Sequence, residues 1–453
     1  MPNYQIISDN VATLAQLISY PSTSESATGR QQARQFVRDL LEKYCGATVE
    51  EVPSAGESAL VATISGQTPA TILFYGHYDV MTSGAREAWD SDPFTLTARE
   101  GRLFGRGAGD NKGQLIATII GLNHFLVAHP NHRQTFQFLI EGEEEQGSIH
   151  LAEIVKKLRS SLLAKVQEVI VVDGSMSDSG DHVLRLANRG LFGFKLHLQT
   201  ASQDNHSGNA GNVLANPVLL FQEVLNHLYD QKNKRVLIPH FYDGVEAPTK
   251  QDDADIAHLP FNRERLNQVF GGEVQAQDQE DYYHRLMFQP TFNVSGIQAG
   301  YTGPGVKTII PASLTANINF RLVGHQQIAP IAAGLATVLQ PWLDQGVLNY
   351  EINGQVPPAT SPASPAERLR FQKAAQTAGI SLLVEPCMPG TVPNYVWTDI
   401  LGVKVFTLPL ANFDQHNHSN NENITVTAFE QGIALITALA AQYESEVSPR
   451  DSN

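Results

Sequence analysis

Histidines and acidic residues follow four apolar segments of this sequence, at the point where each segment ends. His77 and Asp79 follow the segment ATILFY, and the acidic run EGEEEQGS follows TFQFLI. Asp173 ends the segment EVIVVD, and ANFDQHNHSNNE, which contains His416 and His418, follows VKVFTLPL. Imidazole and carboxylate groups without thiolates are ligands that suit Zn²⁺, Mn²⁺ and Co²⁺. The pattern therefore predicts a metal site whose ligands come from distant parts of the chain.

A fifth candidate ligand lies in the glycine-rich segment GRLFGRGAGDNKGQ, residues 101–114. A P-loop requires Ser or Thr after Gly-Lys, whereas the order here is Lys-Gly-Gln. The dinucleotide-binding fingerprint requires a third glycine where Asp110 stands. Both nucleotide-binding interpretations fail. We therefore interpret the segment as a tight loop that brings Asp110 into the site just before a helix begins.

Each of these motifs alone has an ordinary structural explanation. A His-x-Asp pair on a strand is commonly a hydrogen-bonded core pair, and an acidic run is commonly a solvated turn. Together at strand ends they favour a metal site, because clustered acids without a cation repel one another and shift their pKa values. Two ions about 3.5–4 Å apart usually share a bridging carboxylate.

The elements that must position these side chains can be predicted from apolar runs. Buried parallel strands are predicted at residues 70–75, 135–140, 168–173 and 403–410. Helices are predicted between and after them, at residues 114–129, 151–164 and 425–446. This alternation predicts an α/β fold with a mixed, largely parallel sheet flanked by helices. Ligands of such sheets bind outside the carboxyl ends of the strands, where the histidines and acids stand.

The middle of the sequence has a different pattern. Alternating segments at 192–202 and 314–323 predict half-buried strands, and helices are predicted around 215–229 and 326–340. The polar stretch 246–260 is interpreted as a surface loop. We therefore predict an inserted α+β domain at 187–324, between two parts of a catalytic domain at 1–186 and 325–453.

Composition limits the classes of protein and partner. A chain of 453 residues with 42% apolar residues is long enough for two domains with real cores. A formal net charge of −15 makes nucleic acid and anionic membranes poor partners. Cys45 and Cys387 are predicted to be reduced thiols, and neither a secretory signal nor a membrane span is visible. These features predict a cytoplasmic protein.

Five motifs in order, GHYDV, GRGAGDNKG, EGEEEQGS, VVDG and HNHSNNE, resemble those of the M20 metallopeptidase family. They are most similar to its cytosolic dipeptidase branch, the carnosine dipeptidase and peptidase V type. The resemblance covers nearly the whole chain. It implies a di-zinc peptidase fold, and the insertion matches the family's lid or dimerisation domain.

The resemblance also implies a ligand set. It assigns His77 and Asp173 to one ion, Glu145 and His418 to the other, and Asp110 as the bridge between them. His418 is chosen because His-Ser-Asn-Asn-Glu matches the family pattern, with His416 as a neighbour. The implied cofactors are two divalent ions, Zn²⁺ first and Mn²⁺ or Co²⁺ as alternatives.

Three residues receive catalytic roles. The resemblance makes Glu144 the base that takes a proton from the metal-activated water and passes it to the leaving amine. Asp79 is expected to orient His77, since residues i and i+2 share a strand face. The segment DNHSGNAGN makes His206 the candidate oxyanion donor, contributed across a homodimer in the family; the alternative is a loop histidine satisfied by Asp204. The family usually has an acid where Asn111 stands.

Substrate recognition is expected from Arg321, because a guanidinium pairs with a carboxylate. Gly390, in the glycine-containing segment 388–394, and Asn293 are further candidates. The function predicted is hydrolysis of dipeptides or short peptides with a free C-terminal carboxylate. Two alternatives stay open: an N-acyl-amino-acid amidohydrolase such as a deacetylase or desuccinylase, and a non-catalytic metal-dependent dimer that binds a small ligand.

Overall fold

The structure is a computed structural model that describes the chain from residue 4 to residue 447. The α-helices in this range are α1 (Tyr4–Ile18), α2 (Ala27–Cys45), α3 (Lys112–Ala128), α4 (Leu151–Leu158), α5 (Ser207–Ala210), α6 (Pro217–Leu228), α7 (Lys250–Ile256), α8 (Arg263–Phe270), α9 (Gln279–Phe288), α10 (Ile328–Asp344), α11 (Pro365–Ala378) and α12 (Val426–Glu446). Among these described helices none is long and apolar enough to cross a membrane.

The strands in the described range belong to two main sheets and four small ones. They are β1 (Thr48–Val52), β2 (Ala59–Ile64), β3 (Thr71–His77), β4 (Thr97–Arg99), β5 (Arg102–Phe104), β6 (Thr135–Glu141), β7 (Val166–Val171), β8 (His182–Arg185), β9 (Ala187–Asn188), β10 (Gly190–Gln199), β11 (Asn205–His206), β12 (Tyr229–Asp230), β13 (Arg235–Val236), β14 (Asn293–Ala299), β15 (Ile309–Ile310), β16 (Ser313–Leu322), β17 (Leu348–Val356), β18 (Ala359–Thr360), β19 (Leu382–Glu385), β20 (Lys404–Thr407) and β21 (Asn423–Thr425).

The large sheet has the strand order β1-β2-β6-β3-β7-β20-β8-β19. Its central strands β6, β3, β7 and β20 are parallel, and β1, β2 and β8 join antiparallel neighbours. Every residue of β3 and β6 is buried, because helices cover both faces of the sheet. Phe74 and Phe138 pack on one face towards α3 and α12, and Leu73 and Leu139 pack on the other towards α4. The predicted fold class is confirmed.

The second sheet is antiparallel, in the order β14-β16-β10-β17. Phe192, Phe194 and Phe320 form its core with side chains from α6 and α10. Because β17 pairs with β10 along residues 348–356, this sheet extends beyond the boundary predicted at residue 324. We propose that the inserted domain ends at about residue 356.

The prediction of a surface loop at 246–260 is wrong for residues 250–256. Residues 250–256 form α7, which begins with a capping box in which Thr249 and Asp252 accept each other's backbone N–H groups. Ile256 is buried in a small core that α7 shares with α9. Asp255 binds Arg368 of α11 at 2.8 Å, with both side chains largely buried. The polar composition of residues 250–256 did not indicate this helix, which packs against the catalytic domain.

Replacing Asp255 should weaken this packing. Asp255→Ala leaves the buried Arg368 guanidinium without its carboxylate, which should lower the free energy of unfolding by roughly 3 kcal/mol. Urea unfolding followed by circular dichroism measures this change. Glu264→Ala, an exposed acid on α8, is the matched control and should stay within about 0.5 kcal/mol of the parent. Equal losses in the two variants would contradict the assignment.

Candidate metal centre

The carboxyl ends of the parallel strands bring the predicted ligands to one edge of the large sheet. His77 is the last residue of β3, and Asp173 follows two residues after the end of β7. The acidic turn 143–145 follows β6, and residues 414–418 lie beyond β20. Since β6, β3, β7 and β20 are consecutive in the sheet, their carboxyl ends are neighbours.

Two groups of potential ligands share one carboxylate. His77, Asp110 and Asp173 form the first group, and Asp110, Glu145 and His418 form the second, with donor atoms within 4.8 Å of one another in each. His77 Nε2 lies 3.3 Å from one Asp110 oxygen and 3.9 Å from Asp173. His418 Nε2 lies 3.2 Å from the other Asp110 oxygen and 2.9 Å from Glu145. The structure therefore brings all five predicted ligands together.

The chemistry of this donor set fits divalent cations. Burial raises the pKa of Glu144 well above its usual range and that of Asp173 to about 6, and the nearby carboxylates add to both shifts. His77 Nε2 and Glu145 Oε2 are buried and lie close to other potential ligand atoms, but neither makes a hydrogen bond of regular geometry within the described residues. Cations at the two groups would give these atoms a partner and neutralise the carboxylates.

Asp79 links His77 to the acidic turn. One of its carboxylate oxygens lies 3.3 Å from His77 Nδ1, and its backbone carbonyl lies 3.1 Å from the same atom. The Asp79 carboxylate also accepts the backbone N–H groups of Glu144 and Glu145, at 3.3 and 3.0 Å. Asp79 therefore contacts both the imidazole of His77 and the turn that carries both glutamates. Glu144 Oε2 lies 3.8 Å from His77 Nε2, outside both ligand groups.

Glu422 fixes the loop that carries Asp110, a role that we did not predict from the sequence. One oxygen of this buried carboxylate accepts backbone N–H groups of Gly107, Gly109 and Asp110 at 2.9–3.0 Å. Its other oxygen accepts a hydrogen bond from Arg106 at 2.7 Å. The only sequence signal was its place at the end of the motif HNHSNNE.

Asn111, the departure from the family pattern, is buried directly behind the ligands. The peptide bond between Asp110 and Asn111 is cis. The side-chain amide of Asn111 donates to Val172 O at 2.7 Å and to Asp173 Oδ1 at 3.2 Å. An amide N–H at this position orients Asp173, which a carboxylate could not do without a proton.

The predicted substrate-binding residues lie near one another, since Thr291 Oγ1 accepts the backbone N–H of Arg321 at 3.0 Å and lies 3.4 Å from the Asn293 side-chain amide. Arg321 donates to Thr391 Oγ1 at 2.5 Å, so the segment with Gly390 lies beside this guanidinium. Asn293 is exposed on β14, where its amide lies 3.4 Å from Asn319. Arg189, which we did not predict, is buried and donates through Nε to Pro389 O at 2.7 Å. It therefore holds the same segment from the start of β10.

His206 lies on the inserted domain, in the two-stranded pair β11–β15. Its side chain is exposed, and Nδ1 accepts the backbone N–H of Gly208 at 3.0 Å. Asp204 accepts the backbone N–H of Ala312 instead of binding this histidine. Within the described residues, His206 makes no hydrogen bond to the ligand groups.

Comparison with known proteins places these motifs in a family. The sequence model of peptidase family M20/M25/M40 matches residues 73–442, which is more than half of the chain. The Beta-Ala-His dipeptidase of Rattus norvegicus is 28% identical over 377 residues, 81% of this chain and 76% of the relative. The Cys-Gly metallodipeptidase of Saccharomyces cerevisiae is 26% identical over 409 residues, 87% of this chain and 84% of the relative.

Solved structures agree with this assignment. An M20 family metallo-carboxypeptidase from Sulfolobus solfataricus is 28% identical and superposes with a TM-score of 0.86 over 96% of this chain and 99% of that chain. Human carnosine dipeptidase 1 has the same fold, with 24% identity and a TM-score of 0.76 over 97% of this chain and 96% of that chain. The chain belongs to peptidase family M20/M25/M40, and its motifs and relatives match the dipeptidase branch of these metallopeptidases.

Proposed function

We propose that this protein hydrolyses dipeptides or short peptides that have a free C-terminal carboxylate. The observation that carries the proposal is the position of Asp110, whose two oxygens face two separate groups of ligands. Paired sites that share a carboxylate are typical of two-metal hydrolases. Relatives named as dipeptidases, each similar over more than four fifths of this chain, support the substrate class.

We propose two divalent cations, with Zn²⁺ as the first candidate and Mn²⁺ or Co²⁺ as alternatives. His77 and Asp173 would hold one cation, Glu145 and His418 the other, and Asp110 both. Bound there, the cations supply Lewis acidity, which lowers the pKa of an attacking water and polarises the amide carbonyl.

Glu144 is the proposed general base. It lies next to a ligand in sequence but in neither ligand group, so its carboxylate is available for proton transfer. Asp79 holds its backbone N–H, which fixes the residue relative to His77. Glu144 accepts a proton from water as the amide carbon is attacked and then gives it to the leaving amine.

Arg321 is the proposed anchor for the substrate carboxylate. In the described chain no carboxylate lies within 4 Å of its guanidinium, and burial lowers its pKa. A carboxylate from the substrate would supply the missing partner in bidentate geometry. Thr391 and the backbone at Gly390 lie beside the same group. Asn293 remains a prediction from sequence.

A homodimer is part of the proposal. β14 forms the outer edge of the second sheet, and its apolar residues Val294 and Ile297 are 37% and 59% exposed. An exposed apolar edge strand favours pairing with another chain. His206 lies on the same inserted domain with an exposed imidazole, so a partner subunit could receive it as the oxyanion donor.

A second candidate function uses the same metal centre. The metallo-carboxypeptidase at a TM-score of 0.86 favours release of C-terminal residues from longer peptides as well as from dipeptides. An N-acyl-amino-acid amidohydrolase is less supported, since a succinyl-diaminopimelate desuccinylase of Xylella fastidiosa is similar over only 40% of this chain. Release assays with dipeptides, tripeptides and N-acyl amino acids separate the three activities.

Substitution in the acidic turn should separate the base from the ligand. Glu144→Gln should retain both metals and lower kcat by about 10²–10⁴-fold, because only the proton acceptor is lost. Glu145→Gln should lose one ion or bind it more weakly, because it removes a ligand. Metal content by mass spectrometry, measured beside kcat, tests this. The reverse pattern of metal content would move the assignments by one residue.

Mixed dimers should test whether His206 serves the partner subunit. His206→Ala and Glu144→Gln homodimers should both be nearly inactive. In a mixed dimer, the His206→Ala subunit has an intact Glu144 and receives an intact His206 from the Glu144→Gln subunit. The other active site lacks both residues. Random assortment makes half the dimers mixed with one working site in two, so about a quarter of parental activity should return.

Co-expression with two affinity tags isolates the mixed dimers and controls for subunit exchange. Purified mixed dimers have one working site in two, so they should reach about half of the parental activity. Mixed dimers as inactive as the parent variants would mean that His206 serves its own chain or has no catalytic role.

A further inference from the structure

A cavity of about 400 Å³ lies beside the metal centre, between the large sheet and helices α8 and α9. This volume is in the range of small-molecule sites. Its lining is mainly apolar and aromatic and includes Met176, Leu266, Val269, Phe270, Pro389 and Phe413. Val269, Phe270 and Phe413 are 64%, 62% and 54% exposed, so the apolar surface reaches solvent.

The two segments that carry ligands at this end of the sheet also form a wall of the cavity. Met176 follows Asp173 by three residues, and Phe413 precedes His418 by five. Met176 donates its backbone N–H to Ala411 O at 2.8 Å, which joins the two segments. The same two segments therefore contain residues of the cavity wall and potential metal ligands.

The segment that contacts the proposed carboxylate anchor also lines the cavity. Pro389 lines the cavity two residues before Thr391, which binds Arg321. Arg185, another lining residue, pairs with Thr407 at the carboxyl end of β20. Strands are about 4.8 Å apart, so two strand spacings separate β7 from β8 by about 10 Å. The backbone of an extended dipeptide is about 7 Å long, so the added length of a large side chain is needed to reach across that distance.

The charged groups in the cavity are paired with one another. Arg185 binds Glu385 at 2.5 Å, and Arg265 lies 3.6 Å from Asp178. No net charge is left to attract a charged side chain. The remaining surface suits an apolar or aromatic group, since aromatic rings pack favourably against tyrosine and phenylalanine edges.

We infer that this cavity receives the side chain of the substrate's C-terminal residue and selects large apolar or aromatic residues there. This inference rests on the proposed peptidase function. The carboxylate of that residue binds at Arg321, the scissile carbonyl faces the metal ligands, and the side chain between them enters the cavity. Peptides that end in phenylalanine, tyrosine or leucine are the substrate class.

The test compares Gly-Phe, Phe-Gly and Gly-Gly as substrates of the metal-loaded protein. Burial of a phenyl group should raise kcat/KM for Gly-Phe by about tenfold or more over Gly-Gly. Phe-Gly should gain much less, because its ring is on the other residue. Equal rates for Gly-Phe and Gly-Gly, or a larger gain for Phe-Gly, would overturn the inference. Failure to hydrolyse any of the three would overturn the proposed function and this inference with it.

Variants then locate the effect in the cavity. Leu266→Trp fills the cavity, and Phe270→Glu places a carboxylate at its rim, so both should lower the Gly-Phe to Gly-Gly ratio by about tenfold. Phe270→Glu should also raise kcat/KM for Gly-Lys relative to Gly-Phe. Val127→Glu, at a 75% exposed position on α3, adds the same charge elsewhere and should leave the ratio unchanged.

A binding measurement gives a readout that does not depend on turnover. In the metal-loaded Glu144→Gln background, calorimetry should give a Kd for Gly-Phe that Leu266→Trp raises by about tenfold, with little change for Gly-Gly. Unchanged ratios and unchanged Kd values in both cavity variants would overturn the assignment of the cavity.

Discussion

Asp110 carries the constraint on which the rest of the structure depends, because its two oxygens face two histidines from opposite ends of the sequence. Asp173, Glu144 and Glu145 surround the same buried point. Buried carboxylates that face one another are unfavourable when charged, which is why burial and repulsion raise the pKa values of Glu144 and Asp173. Cations bound between these groups would neutralise the carboxylates, which supports the proposed metal centre at this edge of the sheet.

Glu422 and Asp79 bind backbone N–H groups of the segments that carry the potential ligands, as well as side chains. Glu422 lies four residues after His418 and binds three backbone N–H groups of the loop that carries Asp110. One segment therefore contributes His418 to the second group of potential ligands and also fixes the loop of the carboxylate that both groups share. Asp79 similarly contacts His77 Nδ1 and accepts the backbone N–H groups of Glu144 and Glu145. These contacts connect the segments of the first group of potential ligands with those of the second group.

The proximity of His77, Glu145, Asp173 and His418 could be predicted from the sequence, because these residues follow apolar strands whose carboxyl ends meet at one edge of the sheet. It did not predict the roles of Glu422, Asn111 or Arg189, since the partners of their polar atoms are set by contacts between distant segments. The helix α7 was missed because its composition is polar, although its capping box was a local signal. The strand β17 was not predicted, because it has few apolar residues and pairs with a strand about 150 residues earlier.

The most direct test of this account is the number of metal ions bound by each chain, measured together with activity. After equilibration with Zn²⁺, Mn²⁺ or Co²⁺ and removal of free ions, mass spectrometry should find two ions per chain with at least one of these metals. Dialysis against a chelator should remove both ions, abolish peptide hydrolysis and lower the melting temperature. Full hydrolytic activity in protein that contains no metal would contradict the account.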